Sequence, residues 1–493
     1  MVIVCKKLAG AIFVCCIWAF SNSLYAQIQV APDRFRIEFT DKNHNSYSIS
    51  QPELFLSQRA LQRRARQGIE VDYNDLPVSY FYIDSLKRMG FEVLNTSRWF
   101  NSATLRTTAQ EIEKLQNVDF IKYTGLVEIE QIENEETEEL DFASFLRFLI
   151  ENDLLNLDDL FETDEDEEDV DEDDNEYFEL HYEDAPAHYG KAAAQIGMLN
   201  GQNLHERGFR GNGMFIGVID GGFFNVNELS GFENMRASGR LRGIVNFTPD
   251  VENPLGNNNH GTNVLSILAA DLPDQLIGSA PDAEYILLRS EEVEHEYLVE
   301  EDNWIVAIEY ADSIGVDVIN CSLGYTTFDD SSQNHCKTSI DGRSVRTSRA
   351  ATMAAARGMI LCISAGNDGD SNWGIISVPA DADSIVAVGA VNPKGRRASF
   401  SSTGPTADNR IKPDLMAVGA RTAYQNSRGS VVSGNGTSYS APLIAGLIAC
   451  LWQVYPNLTN IEIIKMVKRS STHYNMPNIQ YGYGIPDFLK LLE

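Results

Sequence analysis

Hydrophobic and polar positions along this chain fall into three successive patterns. Between residues 27 and 127, short strand-like stretches (35–39, 91–94, 102–106 and 118–123) are interleaved with stretches of helical period (53–66, 81–89 and 109–115), the first of them basic. Elements of this length in this order predict a small α+β domain. From 128 to 184 the periodicity gives way to acidic residues, with one weakly amphipathic stretch at 141–160. Beyond it the pattern changes again. Continuous apolar runs at 214–219, 285–288, 316–320, 360–364 and 385–391 are rich in Val and Ile, and helical stretches at 262–270, 304–314 and 348–357 separate most of them. A strand apolar on both faces is buried on both faces, so this alternation predicts an α/β domain at 185–493 whose parallel sheet is covered by helices on each side. Ligands of such sheets sit at the carboxyl ends of the strands.

Composition adds to this at three places. The 493 residues are 43% hydrophobic, enough for more than one core. The net charge of −32 is concentrated: residues 128–184 hold 27 Asp and Glu against the single base Arg147, which accounts for 26 of the excess negatives. Such a block repels itself and buries little, so 128–184 is expected to be a disordered, solvated linker. The alternative, a calcium site, lacks the glycine-turn spacing of a calcium loop. A chain this acidic is not a nucleic-acid binder. At the start, Lys6 and Lys7 precede an apolar run at 8–20 and a small-residue stretch ending at Ala26, which predicts a cleavable signal peptide at 1–26. The alternative, a membrane anchor, needs about 20 apolar residues. No later segment is expected to span a membrane, so the mature protein is expected outside the cytoplasm, secreted or within the cell envelope. Once the leader is gone the cysteines are Cys321, Cys336, Cys362 and Cys450. They are too few to staple a domain of this size and lack zinc spacing, and one disulfide among them is left open.

Four motifs fall at the predicted strand ends or helix starts. Asp220 ends an apolar strand and is followed by Gly221 and Gly222. His260 opens a helix, where the positive end of the dipole does not favour its charge, so its placement is not explained by helix stability. Ser438 lies in the run 433–442, after Gly434 and Gly436 and ahead of an apolar helix, so its hydroxyl sits where a developing anion would be stabilised. Asn367 follows Gly366 after another apolar strand. Each is ambiguous alone, Asp220 as a turn residue and Ser438 as a helix cap. Together they supply a hydroxyl nucleophile, a base, a carboxylate to orient the base, and an amide donor for an oxyanion.

The chain order Asp, His, Ser differs from that of chymotrypsin-like enzymes and of α/β-hydrolases. With Gly436 to Pro442 and His260 to Thr262, it resembles the subtilisin-like serine peptidase family over residues 190–488. The resemblance implies a serine endopeptidase acting on polypeptides, with Asp220, His260 and Ser438 as the triad and Asn367 as the oxyanion donor beside the Ser438 amide. Ser322, Leu323 and Gly324 would bind substrate as an added β-strand, and Ala365 and Gly366 would wall the primary specificity pocket. Residues 27–127 would be a propeptide that inhibits in cis and is cut within or just after the linker, the alternative being a retained accessory domain. The chemistry requires no cofactor. The family's calcium loop is not recognisable around 271–276, which leaves a structural calcium ion unassigned. The residue after the acid is commonly Thr or Ser in the family and here is Gly221. The rival to the enzyme is an inactive protein that holds peptides in the same cleft, and a third reading is an esterase.

Overall fold

The N-terminal unit is an antiparallel sheet with helices on it. The structure is a computed structural model that describes residues 28–122, 185–249 and 253–492, so the expected signal peptide at 1–26 and acidic linker at 128–184 lie outside the described residues. Strands β1 (Ile28–Ala31), β2 (Arg34–Glu38), β3 (Glu92–Ser97) and β4 (Ser102–Arg106) pair antiparallel in the order β1-β2-β4-β3. Helices α1 (Gln58–Arg66) and α2 (Tyr80–Arg88) lie between β2 and β3 in sequence. The predicted helix at 53–66 is shorter than expected because Ser57 caps it, accepting from the Ala60 amide, and a 3-10 turn precedes it at Pro52–Leu54. The predicted strand at 118–123 reduces to one bridge between Ile121 and Phe39 among the described residues.

The second part is built on a seven-stranded parallel sheet, as the apolar runs predict. Its strands are β5 (Phe215–Asp220), β6 (Leu241–Asn246), β7 (Glu284–Arg289), β8 (Val318–Cys321), β9 (Ile360–Ser364), β10 (Val386–Val391) and β11 (Leu415–Val418), in the order β11-β10-β9-β8-β5-β7-β6. A hairpin of β12 (Thr422–Gln425) and β13 (Val431–Gly434) follows. One face is covered by α3 (His260–Ala269) and α6 (Thr437–Val454), the other by α4 (Val299–Ile314) and α5 (Arg346–Ala356), each with its own apolar core. The order reverses at β5: the chain first builds β6 and β7 on one side, then β8 to β11 on the other. A crevice opens at the carboxyl ends of the strands at such a reversal.

Helix α6 has 18 residues and is apolar enough to cross a membrane by length and composition, and it is buried in the core through Trp452. The four cysteines are all unpaired, with Cys336 exposed and the others buried. Helix α3 runs uninterrupted, and residues 271–277 form a two-residue-strand hairpin, Asp271–Leu272 against Leu276–Ile277.

Candidate active site

Register brings the site together. Ile219 of β5 lies beside Cys321 of β8, and Cys321 beside Ile363 of β9, so Asp220, Ser322 and Ser364 leave the sheet side by side. Helix α3 reaches the end of β5 because glycine stands at the contact: a Cβ on Gly261 would lie 2.5 Å from the Gly222 carbonyl oxygen and 2.8 Å from Asp220 Cβ. At this close approach His260 Nδ1 lies 2.8 Å from Asp220 Oδ1 and donates to it, while Asn258 Oδ1 accepts from the His260 amide at 2.7 Å. Burial disfavours the imidazolium, but the Asp220 charge and hydrogen bond outweigh it, and the His260 pKa is raised above its ordinary value. Asp220 is fully buried; its Oδ1 also accepts from the Gly221 amide at 2.8 Å, and its Oδ2 has no partner among the described residues. That orphan sits where the glycine at 221 supplies no hydroxyl.

Ser438 is the second residue of α6. Gly436 before it holds φ +153°, a conformation that favours glycine. Pro442 lacks the amide that would bond the Ser438 carbonyl, and Ser322 Oγ donates to that carbonyl instead at 2.9 Å. Ser438 Oγ donates to the Ser322 carbonyl at 3.2 Å. Asn367 is oriented by Thr437, whose amide and hydroxyl donate to its Oδ1 at 2.8 and 2.9 Å. Its Nδ2 therefore faces the other way. A point 3.7 Å from the Ser438 amide nitrogen, where a Cβ on Gly436 would stand, is 3.8 Å from Asn367 Nδ2, so both donors border one small volume.

These groups line one cleft of about 420 Å³ that holds Asp220, His260, Ser438 and Asn367 together with Ser322, Leu323, Gly324 and Gly366. Ala365 is the exception. Its side chain is fully buried in the core beneath β9, because alternation along the strand end turns it inward, so it does not wall the cleft. Its place is taken by Ser377, whose Oγ would be 2.2 Å from a Cβ on Gly324 and 3.1 Å from one on Gly366. Sequence reading also missed Tyr439, whose ring stacks on His260 at 6.3 Å, and the orienting role of Thr437, both inside the serine motif. It missed Glu291, Glu296 and Glu300 as well, which line the same cleft and bring carboxyl oxygens within 4.8 Å of one another.

Residues 211–484 match the subtilase family, and residues 34–141 match a Peptidase S8 propeptide domain of Bacteroidota. The chain is 30% identical over 294 residues to Subtilisin E of Bacillus subtilis, covering 59% of this chain and 68% of that one. It is 30% identical to Subtilisin of Bacillus pumilus, covering 59% of this chain and 94% of that one. Among solved structures, MycP1 from Mycobacterium smegmatis aligns with a TM-score of 0.47 at 21% identity, over 61% of this chain and 84% of that one.

Proposed function

Because the chain belongs to the subtilase family and is a serine endopeptidase preceded by a propeptide domain, we propose that it is exported and made as a zymogen, and that it cuts peptide bonds through an acyl-enzyme on Ser438. The observation that carries the reading is the Asp220–His260 hydrogen bond of 2.8 Å in the cleft that Ser438 and Asn367 also line.

The substrate strand pairs with Ser322 to Gly324 and presents its scissile carbonyl to Ser438. The serine hydroxyl turns from the Ser322 carbonyl toward His260 Nε2, which takes its proton as the Oγ–C bond forms. Asp220 holds Nδ1–H and stabilises the imidazolium. The oxyanion accepts from Asn367 Nδ2 and the Ser438 amide. As the C–N bond breaks, His260 returns the proton to the leaving amine, and an acyl ester remains on Ser438. Water repeats the sequence: His260 takes its proton, the new C–O bond forms, and Ser438 leaves with its proton restored. No cofactor takes part in this scheme.

Export rests on the 1–26 leader. Cis inhibition rests on the N-terminal unit, whose Arg63, Arg64 and Arg98 all pair with Asp312 of α4. A domain joined to its target in one chain acts at a local concentration on the order of millimolar, so modest affinity suffices. Reaction with a fluorophosphonate tests the whole. Wild-type processed protein is expected to be labelled and to hydrolyse peptides faster than simple esters, Ser438→Ala is expected to do neither, and the Ser438→Ala precursor is expected to remain uncut. Unlabelled, correctly processed wild type would mean the cleft only binds.

A further inference from the structure

Asp220 holds His260 by a single oxygen. Its Oδ1 accepts from His260 Nδ1 and from the Gly221 amide, each at 2.8 Å, while Oδ2 has no hydrogen-bond partner among the described residues. One bond at one edge fixes that edge and leaves the imidazole free to rock about it. The face of the ring is met by Tyr439, with centroids 6.3 Å apart and planes 24° apart. Tyr424 stacks on Tyr439 in turn, at 4.8 Å and 28°. Both spacings lie in the range of offset-stacked rings. Three elements supply the stack: His260 opens α3, Tyr439 is in the first turn of α6, and Tyr424 lies in β12.

Glycine makes room for the two phenols. A Cβ on Gly434 of β13 would stand 2.9 Å from a ring carbon of Tyr424 and 2.9 Å from one of Tyr439. The polar groups beside the Tyr439 hydroxyl are the side chains of Tyr424 and of Asn263, which is buried one turn after His260 on the same helix. The ring is thereby tied to the helix that carries the histidine. Tyr439 is 9% exposed and does not line the cleft, so it reaches the reaction through His260 and not through substrate. The charged group bonded to His260 is Asp220, and Glu291, Glu296, Glu300 and Asp368 line the same cleft. From α6 and β12 the groups that face the imidazole are phenols, and burial pushes the pKa of Tyr439 above its ordinary value, so it stays neutral. The face of a phenol carries partial negative charge and favours a cation stacked on it over a neutral ring.

We propose that Tyr439, backed by Tyr424, is a positioning residue for His260: the stack fixes the plane of the imidazole and favours the imidazolium that forms when Ser438, and later water, gives up its proton. The assignment rests on the endopeptidase reading above, and the test separates the two. Wild type, Tyr439→Phe, Tyr439→Leu and Tyr424→Leu are titrated with a fluorophosphonate to count active sites. The rate of that labelling, and kcat and KM on one internally quenched peptide, are then followed across the acid limb. In Tyr439→Leu, kcat and the labelling rate are expected to fall about tenfold with KM little changed, because a positioned base is worth roughly 10² to 10⁴ and looser positioning forfeits part of it. The acid limb should move to lower pH by roughly half a unit, since the imidazolium loses the aromatic face. Tyr439→Phe keeps that face and should stay within about threefold of the wild-type rate with the acid limb unmoved. Tyr424→Leu, which leaves the serine helix untouched, should move both readouts in the direction of Tyr439→Leu and less far, so a folding defect at 439 does not remove the test. Labelled wild type whose kcat and acid limb neither leucine variant moves overturns the positioning role and leaves the peptidase reading intact. A change in KM alone would put the ring on substrate, and equal losses in Tyr439→Phe and Tyr439→Leu would assign the effect to the hydroxyl; either overturns the proposal. Failure of the wild type to label removes both readings together.

Discussion

Ser322 and Ser438 hold each other reciprocally: the Ser322 hydroxyl donates to the Ser438 carbonyl at 2.9 Å, and the Ser438 hydroxyl donates to the Ser322 carbonyl at 3.2 Å. The first bond exists because Pro442 cannot donate to that carbonyl. Ser322→Ala keeps the backbone that would pair with substrate but strands a buried acceptor, which costs about 1–3 kcal/mol. Denaturant unfolding should show that loss, and kcat should fall with KM little changed. A rise in KM alone would mean that the Ser322 side chain acts on substrate and not on the helix start.

Asn367 would meet negative charge that exists mainly in the transition state. Asn367→Ala is expected to lower kcat by roughly 10² to 10³ with KM nearly unchanged, a size established for such a donor in subtilisin. Thr437→Val removes the hydroxyl that accepts from the Gly366 amide and donates to Asn367 Oδ1, freeing the amide to turn. We expect a smaller loss, about tenfold, again in kcat. Steady-state kinetics on one peptide distinguishes the three enzymes.

Five of the seven strands of the large sheet were legible because they are apolar on both faces, whereas the four-residue β11 is too short to stand out although it is fully buried; Asp220, His260, Asn367 and Ser438 were legible because each ends a strand or opens a helix beside glycine. What failed has a common cause in partners distant along the chain. Edge strand β6 is half-buried and carries no clear period. Helix α4 begins five residues earlier than the predicted 304, because Glu300, Glu301 and Asp302 look like a solvated turn yet are buried. Asp302 is paid for by Arg36 of the N-terminal unit at 2.8 Å, and Glu301 faces His335 at 2.5 Å. The basic run of helix α1 carries no sign of where it packs, yet Arg63 and Arg64 are fully buried and pair with Asp312. Charge in sequence does not tell a solvated face from a paired interior.

The activity of this enzyme should depend on His260 being neutral. Its pKa is raised, so the protonated, inactive form persists to higher pH than for an ordinary histidine, and kcat/KM should fall as pH drops through a value above about 6.5. In Asp220→Asn the supporting charge is gone and burial alone acts, which lowers that pKa. The acid limb should then move to lower pH while kcat falls by roughly 10⁴, the order seen on removing this acid in other serine peptidases, subtilisin included. An acid limb unmoved by the substitution would assign the titration to another group.

Gly221 offers a gain. A Cβ there would meet nothing closer than 3.6 Å, and the residue does not need positive φ. Gly221→Ser should therefore stabilise the fold by about 0.4–1 kcal/mol through the unfolded chain alone. A hydroxyl reaching the buried Asp220 Oδ2 would add to that. Activity within about threefold of wild type and a higher denaturation midpoint are expected; a lower midpoint would show that the pocket around Glu291 does not accept the side chain.

The N-terminal unit should inhibit through buried charge. Asp312 is fully buried and accepts from Arg63, from Arg64 at 2.7 Å and from Arg98 at 2.5 Å, while Arg357, just after α5, reaches back to Asp75 at 2.7 Å. Removing one partner of such a pair leaves the other desolvated, at about 3–5 kcal/mol. Added residues 27–127 should therefore inhibit active enzyme, and their Arg63→Ala form should do so two to three orders of magnitude more weakly. Among the described residues Lys114 pairs only with the exposed Glu111 at 3.5 Å, and Lys114→Ala should leave the inhibition constant within about threefold. Equal inhibition by all three fragments would place the affinity elsewhere, and binding without inhibition would make the unit an accessory domain.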